Sequence, residues 1–367
     1  MPKNLVLVGG GYAHLKTLAG LHEFVRRGHR VTVIQPSPWH YYSGMGPGLL
    51  GGFYEPEEIR SPTQAQVEKN GGCFIQERVV RIAAEKRELE LESGETLGYD
   101  ILSLNTGSYV PHGMIREKAA NIFMVKPIAS LLAARTFIRD RLRKRKLTVA
   151  VVGGGPAAVE IVGNLRRLGD KAGCNRLCFK LCAGRKLLAR FPVGVRRRVT
   201  ASLKGRAIEV LEEGHVNAVY GDQLELVSGL RINFDAVLIA TGVRPLVPAV
   251  ETGLLVQGGG GLAVNRFLQS WSCPEIFGGG DCIAFTEQPL DKVGVYAVRQ
   301  NPVLFYNLRA ALENRPLRPF SPGGDYLQIF NLGDGSGLLY KWGLTCSGKS
   351  AFRLKDYIDR QFMRRFT

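Results

Sequence analysis

Apolar and polar positions along the chain fall into two copies of one pattern. Leu5–Val8 is a short apolar run, Gly9–Gly11 is a turn, and His14–Arg27 carries apolar residues at helical spacing. Gly28 then ends the helix, and Arg30–Ile34 is a second apolar run. Strand, glycine turn, helix, strand predicts a βαβ unit with a parallel sheet. In the second copy Thr148–Val152 is the strand, Gly153-Gly154-Gly155-Pro156 the turn, Ala157–Leu168 the helix and Arg176–Cys182 an alternating strand.

Another pair of segments repeats in step with these. Asp100–Gly107 and Asp235–Gly242 each read Asp, a mostly apolar run, then Thr-Gly, with Asp and Thr six residues apart in both. Gly9 precedes Gly107 by 98 residues and Gly153 precedes Gly242 by 89. Each glycine turn thus has its own Thr-Gly strand end, which two related nucleotide-binding domains explain better than chance.

The basic stretch Arg135–Lys146 reads as an amphipathic surface helix leading into the second domain. After Gly242 the chain passes the Gly258–Gly261 turn and reaches Gly278-Gly279-Gly280-Asp281. A helical pattern from Gly294 to Glu313 follows, then a Pro-rich break at Pro316–Pro322 and a small C-terminal element. The expected divisions are 1–115 and 246–318 as two parts of one domain, 116–245 as the second, and 319–367 as the C-terminal region. The fold class is α/β, two Rossmann-like domains plus a small α+β element.

Composition fits a globular chain, with 45% apolar and 22% charged residues in 367. The net charge of +17 adds something new, because a basic surface attracts nucleic acid, anionic lipid or acidic ligands. No helix-turn-helix, zinc-finger or RNA-binding aromatic signature accompanies it. A membrane surface is therefore preferred, a solvated basic face is the alternative, and no nucleic acid is expected. No run of about 18 apolar residues occurs, and the N-terminus reads as fold rather than cleavable signal. The expected location is cytoplasmic, or peripheral on the inner face of the cell membrane. The seven cysteines are odd in number and none has CxxC spacing, which argues against a disulfide framework. Cys174, Cys178 and Cys182 recur every fourth residue but fall on a strand-like run, so no metal site is expected.

The turns carry the chemistry. In Gly9-x-Gly11-Tyr12-Ala13-His14, the glycines let backbone N–H groups approach a pyrophosphate at a helix N-terminus. The third position usually holds a small residue, and here it is His14. The carboxylate expected at the end of the second strand, to grip a ribose, is replaced by Gln35. In the second turn Gly153, Gly155, Pro156, Ala157 and the small Ala158 fit better, with Glu160 following. No carboxylate ends its second strand. Arg185 stands there instead and could meet a 2′-phosphate, so NADPH, NADH and a vestigial site all remain open. Gly280-Asp281 at a strand end suits the hydroxyls of a flavin's ribityl chain.

The ordered set Gly9–His14, Thr106-Gly107, Gly153–Glu160, Thr241-Gly242 and Gly279-Gly280-Asp281 resembles the pyridine nucleotide-disulfide oxidoreductase superfamily, across nearly the whole chain. Within it, Lys292-x-Gly294-x-Tyr296-Ala297-x-x-Gln300 resembles type II NADH dehydrogenases. Tyr41–Gly52 and Tyr357–Phe366 resemble a bacterial subgroup related to flavoprotein domains fused to selenide-water dikinase. The resemblance implies a glutathione-reductase-like fold, FAD on Gly9, Gly11, Tyr12, Ala13, His14, Gln35, Thr106, Gly107, Gly280 and Asp281, and NADPH or NADH at the second turn with Thr241 and Gly242. It places Lys292 and the helix start at Gly294 by the flavin's pyrimidine end, where positive charge favours electron uptake. Tyr296, Ala297 and Gln300 would line a quinone side and Glu160 the nicotinamide side. The implied reaction carries two electrons from NAD(P)H to a quinone or other small acceptor.

Two readings compete with it. A sulfide:quinone-type or other sulfur/selenium flavoenzyme needs a cysteine pair, for which Cys282 and Cys346 are the tempting thiols. A nucleotide-binding regulatory protein would fit the missing ribose carboxylates. Tyr41–Gly48 reads either as a loop along the flavin or as a surface loop. Leu354, Ile358, Phe362 and Phe366 recur every fourth residue, flanked by Arg353, Lys355, Arg360, Arg364 and Arg365. That stripe suits an anionic bilayer, or it docks on the protein's own core or on a second subunit in a homodimer.

Overall fold

The structure, a computed structural model, describes residues 1–171, 176–250 and 253–366. Cys174 lies outside the described residues. In chain order the elements that frame the site are β1 (Asn4–Val8), α1 (Leu15–Ala19), α2 (Leu21–Val25), β2 (Arg30–Ile34), α3 (Gly46–Leu50), β3 (Cys73–Ile75), β4 (Ile101–Leu104), β5 (Ile122–Met124) and α4 (Ala129–Leu142). They continue as β6 (Leu147–Val152), α5 (Pro156–Lys171), β7 (Leu177–Cys182), α6 (Val193–Lys204), β8 (Ile208–Leu211), β9 (Ala236–Ile239), β10 (Ile276–Gly278) and α7 (Gly294–Leu312). The chain ends in β11 (Gln328–Asn331), β12 (Gly337–Lys341), β13 (Leu344–Gly348) and α8 (Lys349–Arg364).

The internal repeat becomes two parallel sheets of the same order. One runs β10-β4-β1-β2-β3 and the other β5-β9-β6-β7-β8. In each, the glycine-turn strand is central and pairs with its Thr-Gly strand, at Val8↔Leu104 and Val152↔Ile239 near their ends. Both central strands are buried along nearly their whole length, as sheets covered on two faces require. Two large apolar cores follow, one per sheet, with a small third core of Met45, Leu49, Tyr54, Ile59 and Met363 between them and the C-terminal helix. β11, β12 and β13 form an antiparallel sheet against which α8 packs.

Three elements differ from the sequence reading. The first helix is broken at Gly20 into α1 and α2, where the Phe305 ring of α7 packs into the space a side chain would fill. α4 starts at Ala129, ahead of the basic run, and ends at Leu142, leaving Arg143–Lys146 outside it; its buried Leu131, Ala134, Ile138 and Leu142 fix its span, not its charges. Tyr41–Gly48 is not a surface loop. Its glycines let α3 sink against Ile128, Leu131 and Tyr54, and Gly46–Leu50 is buried throughout.

Candidate active site

The first glycine turn is braced from behind. Gly9 has φ +88°, and its missing Cβ faces the Asn105 backbone; that of Gly11 faces the Asn105 side chain. A side chain at either position would strike the neighbouring strand end. His14 is fully buried, with Nδ1 2.6 Å from the Gly9 carbonyl and Nε2 2.8 Å from Ser103 Oγ. Burial pushes its imidazole down to about 4, so it is neutral and ties the turn to β4. Gln35 is buried too. It accepts from Gly10 N–H at 2.8 Å and donates to the Ser37 carbonyl at 2.5 Å and the Trp39 carbonyl at 3.2 Å. These two departures from the usual dinucleotide pattern hold the turn in shape.

Beyond the turn, strand ends from both sheets converge. Thr106 Oγ donates to the Leu246 carbonyl. Asp281 accepts from Ser108 Oγ at 2.6 Å and from Lys126 Nζ at 2.7 Å. Lys126, at the end of β5, was missed by sequence reasoning. The only local signal was a Lys-Pro step after an apolar run. Gln300 is buried and accepts from Gly280 N–H at 2.6 Å. It thereby positions the Gly279–Asp281 turn. Lys292 Nζ donates to the Ile283 carbonyl, and burial lowers its ammonium against the upward pull of Asp281. Gly294, which starts α7, packs on the Tyr12 ring, while Tyr296 lies edge-on to Tyr326 at 5.7 Å. Ala13 is fully buried against Gly279.

The tempting thiols do not form a pair. Cys282 is fully buried, its thiol donates to the Gly279 carbonyl at 3.3 Å and the Leu104 carbonyl at 3.4 Å, and burial raises it. Cys346 is exposed on β13. A buried thiol held protonated is a poor nucleophile. Among the described residues no group of three or more His, Cys, Asp or Glu side chains could hold a metal ion.

The second turn is open. Gly153, with φ +146°, lies against the Ala240 carbonyl, but Gly155 and Gly242 face free space. Pro156 begins α5, Pro156 and Ala157 are exposed, and so is Thr241 across the crevice. Arg185 is exposed just past β7. Glu160 points inward from the first turns of α5, and its Oε1 accepts from Asn331 N–H at 2.8 Å. Burial lifts its carboxyl from 4.5 to about 7, with Lys355 and the Asn331 N–H pulling it down and Asp359 pushing it up.

α8 closes the other side. Lys355 Nζ donates to Asp359 at 2.7 Å and to the Gly44 carbonyl at 2.9 Å, and Tyr42 OH donates to Asp359 at 3.0 Å. Tyr42 stacks on Phe362 at 4.8 Å, and Tyr12 OH lies 2.7 Å from Ser43 Oγ. Tyr12, His40, Tyr42, Phe362 and Phe366 line a narrow cavity of about 10 Å³. His40 Nε2 has no hydrogen-bond partner there, and burial beside Lys126 takes its imidazole down to about 4. The opposite edge of α8 is bare: Leu354 is 40%, Tyr357 62% and Ile358 42% exposed. α8 thus docks one face on the core, as one of the sequence alternatives has it, and leaves an apolar edge outside.

These residues fit a flavin dinucleotide. The Gly9–Gly11 cradle has no room for side chains, Gly107 opens onto free space, and Asp281 stands at the strand end next to it. Buried Asn105 Oδ1 and His40 Nε2 lack partners that a ligand could supply.

Comparison with known proteins agrees with that geometry. The family described as pyridine nucleotide-disulphide oxidoreductase matches residues 3–302. A type II NADH:quinone oxidoreductase of Staphylococcus epidermidis is 24% identical over 392 aligned positions, covering 97% of this chain and 94% of that protein. Among solved structures, sulfide:quinone oxidoreductase from Aquifex aeolicus superposes with a TM-score of 0.80 at 17% identity, over 99% of this chain and 91% of its own. NDH2 from Plasmodium falciparum in complex with NADH gives 0.78 at 15% identity, over 99% and 98%. At such identities the structural likeness speaks for the fold.

Proposed function

The chain belongs to the pyridine nucleotide-disulphide oxidoreductase family, and from that premise we propose that it is an FAD-dependent NAD(P)H:quinone oxidoreductase working at an anionic membrane surface. One observation carries the reading. A carboxyl that burial lifts to about 7, Glu160, stands on α5 four residues past the open nucleotide turn and accepts from Asn331 N–H, and among the described residues no thiol pair accompanies it. FAD, when bound, supplies the two-electron carriage between donor and acceptor.

The residues divide the remaining work. The backbone N–H groups of Gly11 and Tyr12 would hold the pyrophosphate, those of Gly9 and Gly10 being committed to Ile34 and Gln35, and Asp281 would take the ribityl hydroxyls. Lys126 balances the Asp281 charge from the other sheet. Gly155, Pro156, Ala157, Thr241 and Gly242 receive the nicotinamide nucleotide, with Arg185 placed for a 2′-phosphate. A quinone takes up two electrons and two protons. Glu160, whose carboxyl burial lifts to about 7, gives one of those protons to a quinone oxygen, and the other is the hydrogen that the nicotinamide delivers with its electron pair.

Anaerobic mixing of the flavin-loaded protein with NADH or NADPH tests this directly. Rapid bleaching of the flavin absorbance is expected with at least one of them, and failure with both sinks the reading. Arg185→Ala is expected to weaken NADPH about tenfold and leave NADH unchanged, because only the 2′-phosphate needs that charge. Equal effects on both would remove Arg185 from the specificity site.

The membrane part rests on α8. Its exposed edge of Leu354, Tyr357 and Ile358 is flanked by exposed Arg353, Arg364 and Arg365, a combination suited to the interface of an anionic bilayer. No helix among the described residues is long and apolar enough to cross a membrane. Sedimentation with vesicles containing phosphatidylserine should recover the protein, and Tyr357→Glu with Ile358→Glu should release it. Unchanged recovery of the double variant, or a solution dimer that hides Tyr357, would count against this surface.

A further inference from the structure

α4 is apolar on two faces. Its inner stripe of Leu131, Ala134, Ile138 and Leu142 is buried in the core of the second sheet. On the outer face of its first two turns a surface helix ordinarily carries charge. Here that face holds Ala129, Leu132, Ala133 and Thr136. With Ala120, Phe123 and Phe137 they line an open trough of about 550 Å³. Phe123 is buried and meets Phe137 edge to face at 5.4 Å, which gives the trough an aromatic wall. Ala120, Ala129 and Ala133 are exposed and too short to fill it.

Cations gather at one end. β5 and β6 lie parallel on either side of β9, so α4, which connects them, runs in the opposite direction. Its C-terminal end therefore returns to the start of β5. Asp235 joins the two there, accepting from Asn121 Nδ2 at its carbonyl, 3.2 Å away, and from Arg145 at its carboxylate, 2.5 Å away. Arg141 lies over the Phe137 wall, its guanidinium 3.5 Å from the ring centre. Arg139, Arg143, Lys144 and Lys146 are exposed near it in the chain, and Lys118 is exposed two residues before Ala120. None of these six cations has an ion-pair partner among the described residues, and Asp140 is the one acid between Arg135 and Lys146. One or two cations would suit the negative end of a helix dipole. Six are more than the dipole can use, and their mutual repulsion opposes the compact state.

Shape and charge select the occupant. A bilayer is flat and leaves a concave trough unfilled. A small ligand would stay largely uncovered, whereas true ligand pockets enclose most of what they bind. A second copy of a chain with net charge +17 would set like charges against like. We propose that the trough between β5 and α4 is the docking site of an acidic partner protein, which lays an apolar helix edge along the alanines and Phe137 and sets its carboxylates against Lys118, Arg141 and Lys144. Nucleotides bind at the carboxyl ends of parallel strands, whereas this basic end adjoins the start of β5. No trough residue belongs to a glycine turn or to α8, so partner and nucleotide can be held at once. Binding there does not depend on which acceptor the flavin serves.

The probe is a fluorescein-labelled synthetic helical peptide with leucine on one face and glutamate on the other. The flavin-loaded full chain is titrated into it, and fluorescence anisotropy is read at rising salt. Saturable binding is expected, weakening as salt screens the exposed charges. Ala133→Trp fills the trough without altering charge, and should weaken binding at least about tenfold while keeping the salt dependence. Arg141→Glu with Lys144→Glu should weaken it by a similar factor and flatten the salt dependence. Flavin content and flavin reduction by NAD(P)H should match wild type in both. The same peptide with serine for leucine should bind at least about tenfold more weakly. Absence of binding, equal binding of the serine peptide, or full binding by Ala133→Trp overturns the proposal. So does an Ala133→Trp protein that no longer sediments with phosphatidylserine vesicles, or that loses a solution dimer, since the trough would then belong to a bilayer or to a second copy.

Discussion

Gly11→Val is expected to yield a folded protein without flavin. The added side chain would enter the space held by the Asn105 side chain, whose amide already donates to the Gly279 carbonyl at 2.6 Å. Asn105 cannot swing away without releasing that carbonyl and disturbing the turn that carries Asp281. The cradle must open instead, and its N–H groups turn from the pyrophosphate. Overpacking of this kind costs about 1–3 kcal/mol, which corresponds to roughly a 5- to 150-fold loss of affinity, before the lost hydrogen bonds are counted. Gly155→Ala is the matched control. Its added methyl meets nothing within 4 Å and belongs to the other turn, so flavin content should be unchanged. The ratio of flavin to protein absorbance after gel filtration measures both, with circular dichroism to verify folding. A folded Gly11→Val protein with one flavin per chain would remove the turn from the flavin site.

Glu160→Gln is expected to separate the two halves of the reaction. The glutamine side chain keeps the shape and can still accept from Asn331 N–H, but it has no proton to give. Reduction of the flavin by NAD(P)H should stay within a few-fold of wild type. Reoxidation by quinone should slow by roughly 100-fold or more, the usual worth of a positioned general acid, and should lose the fall above about pH 7 that loss of the Glu160 proton gives the wild type. Stability gives a second view of the same residue. The folded chain holds Glu160 protonated up to about 7, whereas an unfolded chain releases that proton near 4.5. Between those values stability declines as pH rises, because the unfolded state has shed a proton that the folded state still binds. Glu160→Gln removes this decline, so the gap in melting temperature between wild type and variant should shift in favour of the variant from pH 5 to pH 8. If quinone reoxidation is unaffected, Glu160 is not the acid. If only the melting temperatures behave as expected, its role is confined to the fold.

Several features of this site were legible in the sequence because they are local. The glycine turns follow apolar strands by fixed short offsets, and a turn that must admit no side chain writes itself as Gly9-Gly10-Gly11 or Gly153-Gly154-Gly155. The Thr-Gly strand ends and Gly280-Asp281 are equally local, and together they specified two parallel sheets of one design. Even the mixed character of α8, apolar every fourth residue among cations, was visible as a pattern.

The partners chosen by polar side chains were not. Gln35 stands where a ribose-gripping carboxylate was expected and His14 where a small residue was, yet Ser103, 89 residues beyond His14, and the backbone of Gly9, Gly10, Ser37 and Trp39 engage them. Lys126 meets Asp281 across 155 residues, and Glu160 meets Asn331 across 171. A buried donor or acceptor takes whichever partner the chain path brings within about 3 Å, and no local spacing encodes that path. Periodicity and turn chemistry, which depend on near neighbours, let the sequence by itself determine the two dinucleotide folds and the place of their glycine turns. Only the tertiary structure decided which polar groups brace the first of those turns and which carboxyl is withdrawn from water, because desolvation and pairing exist only once distant segments are packed together.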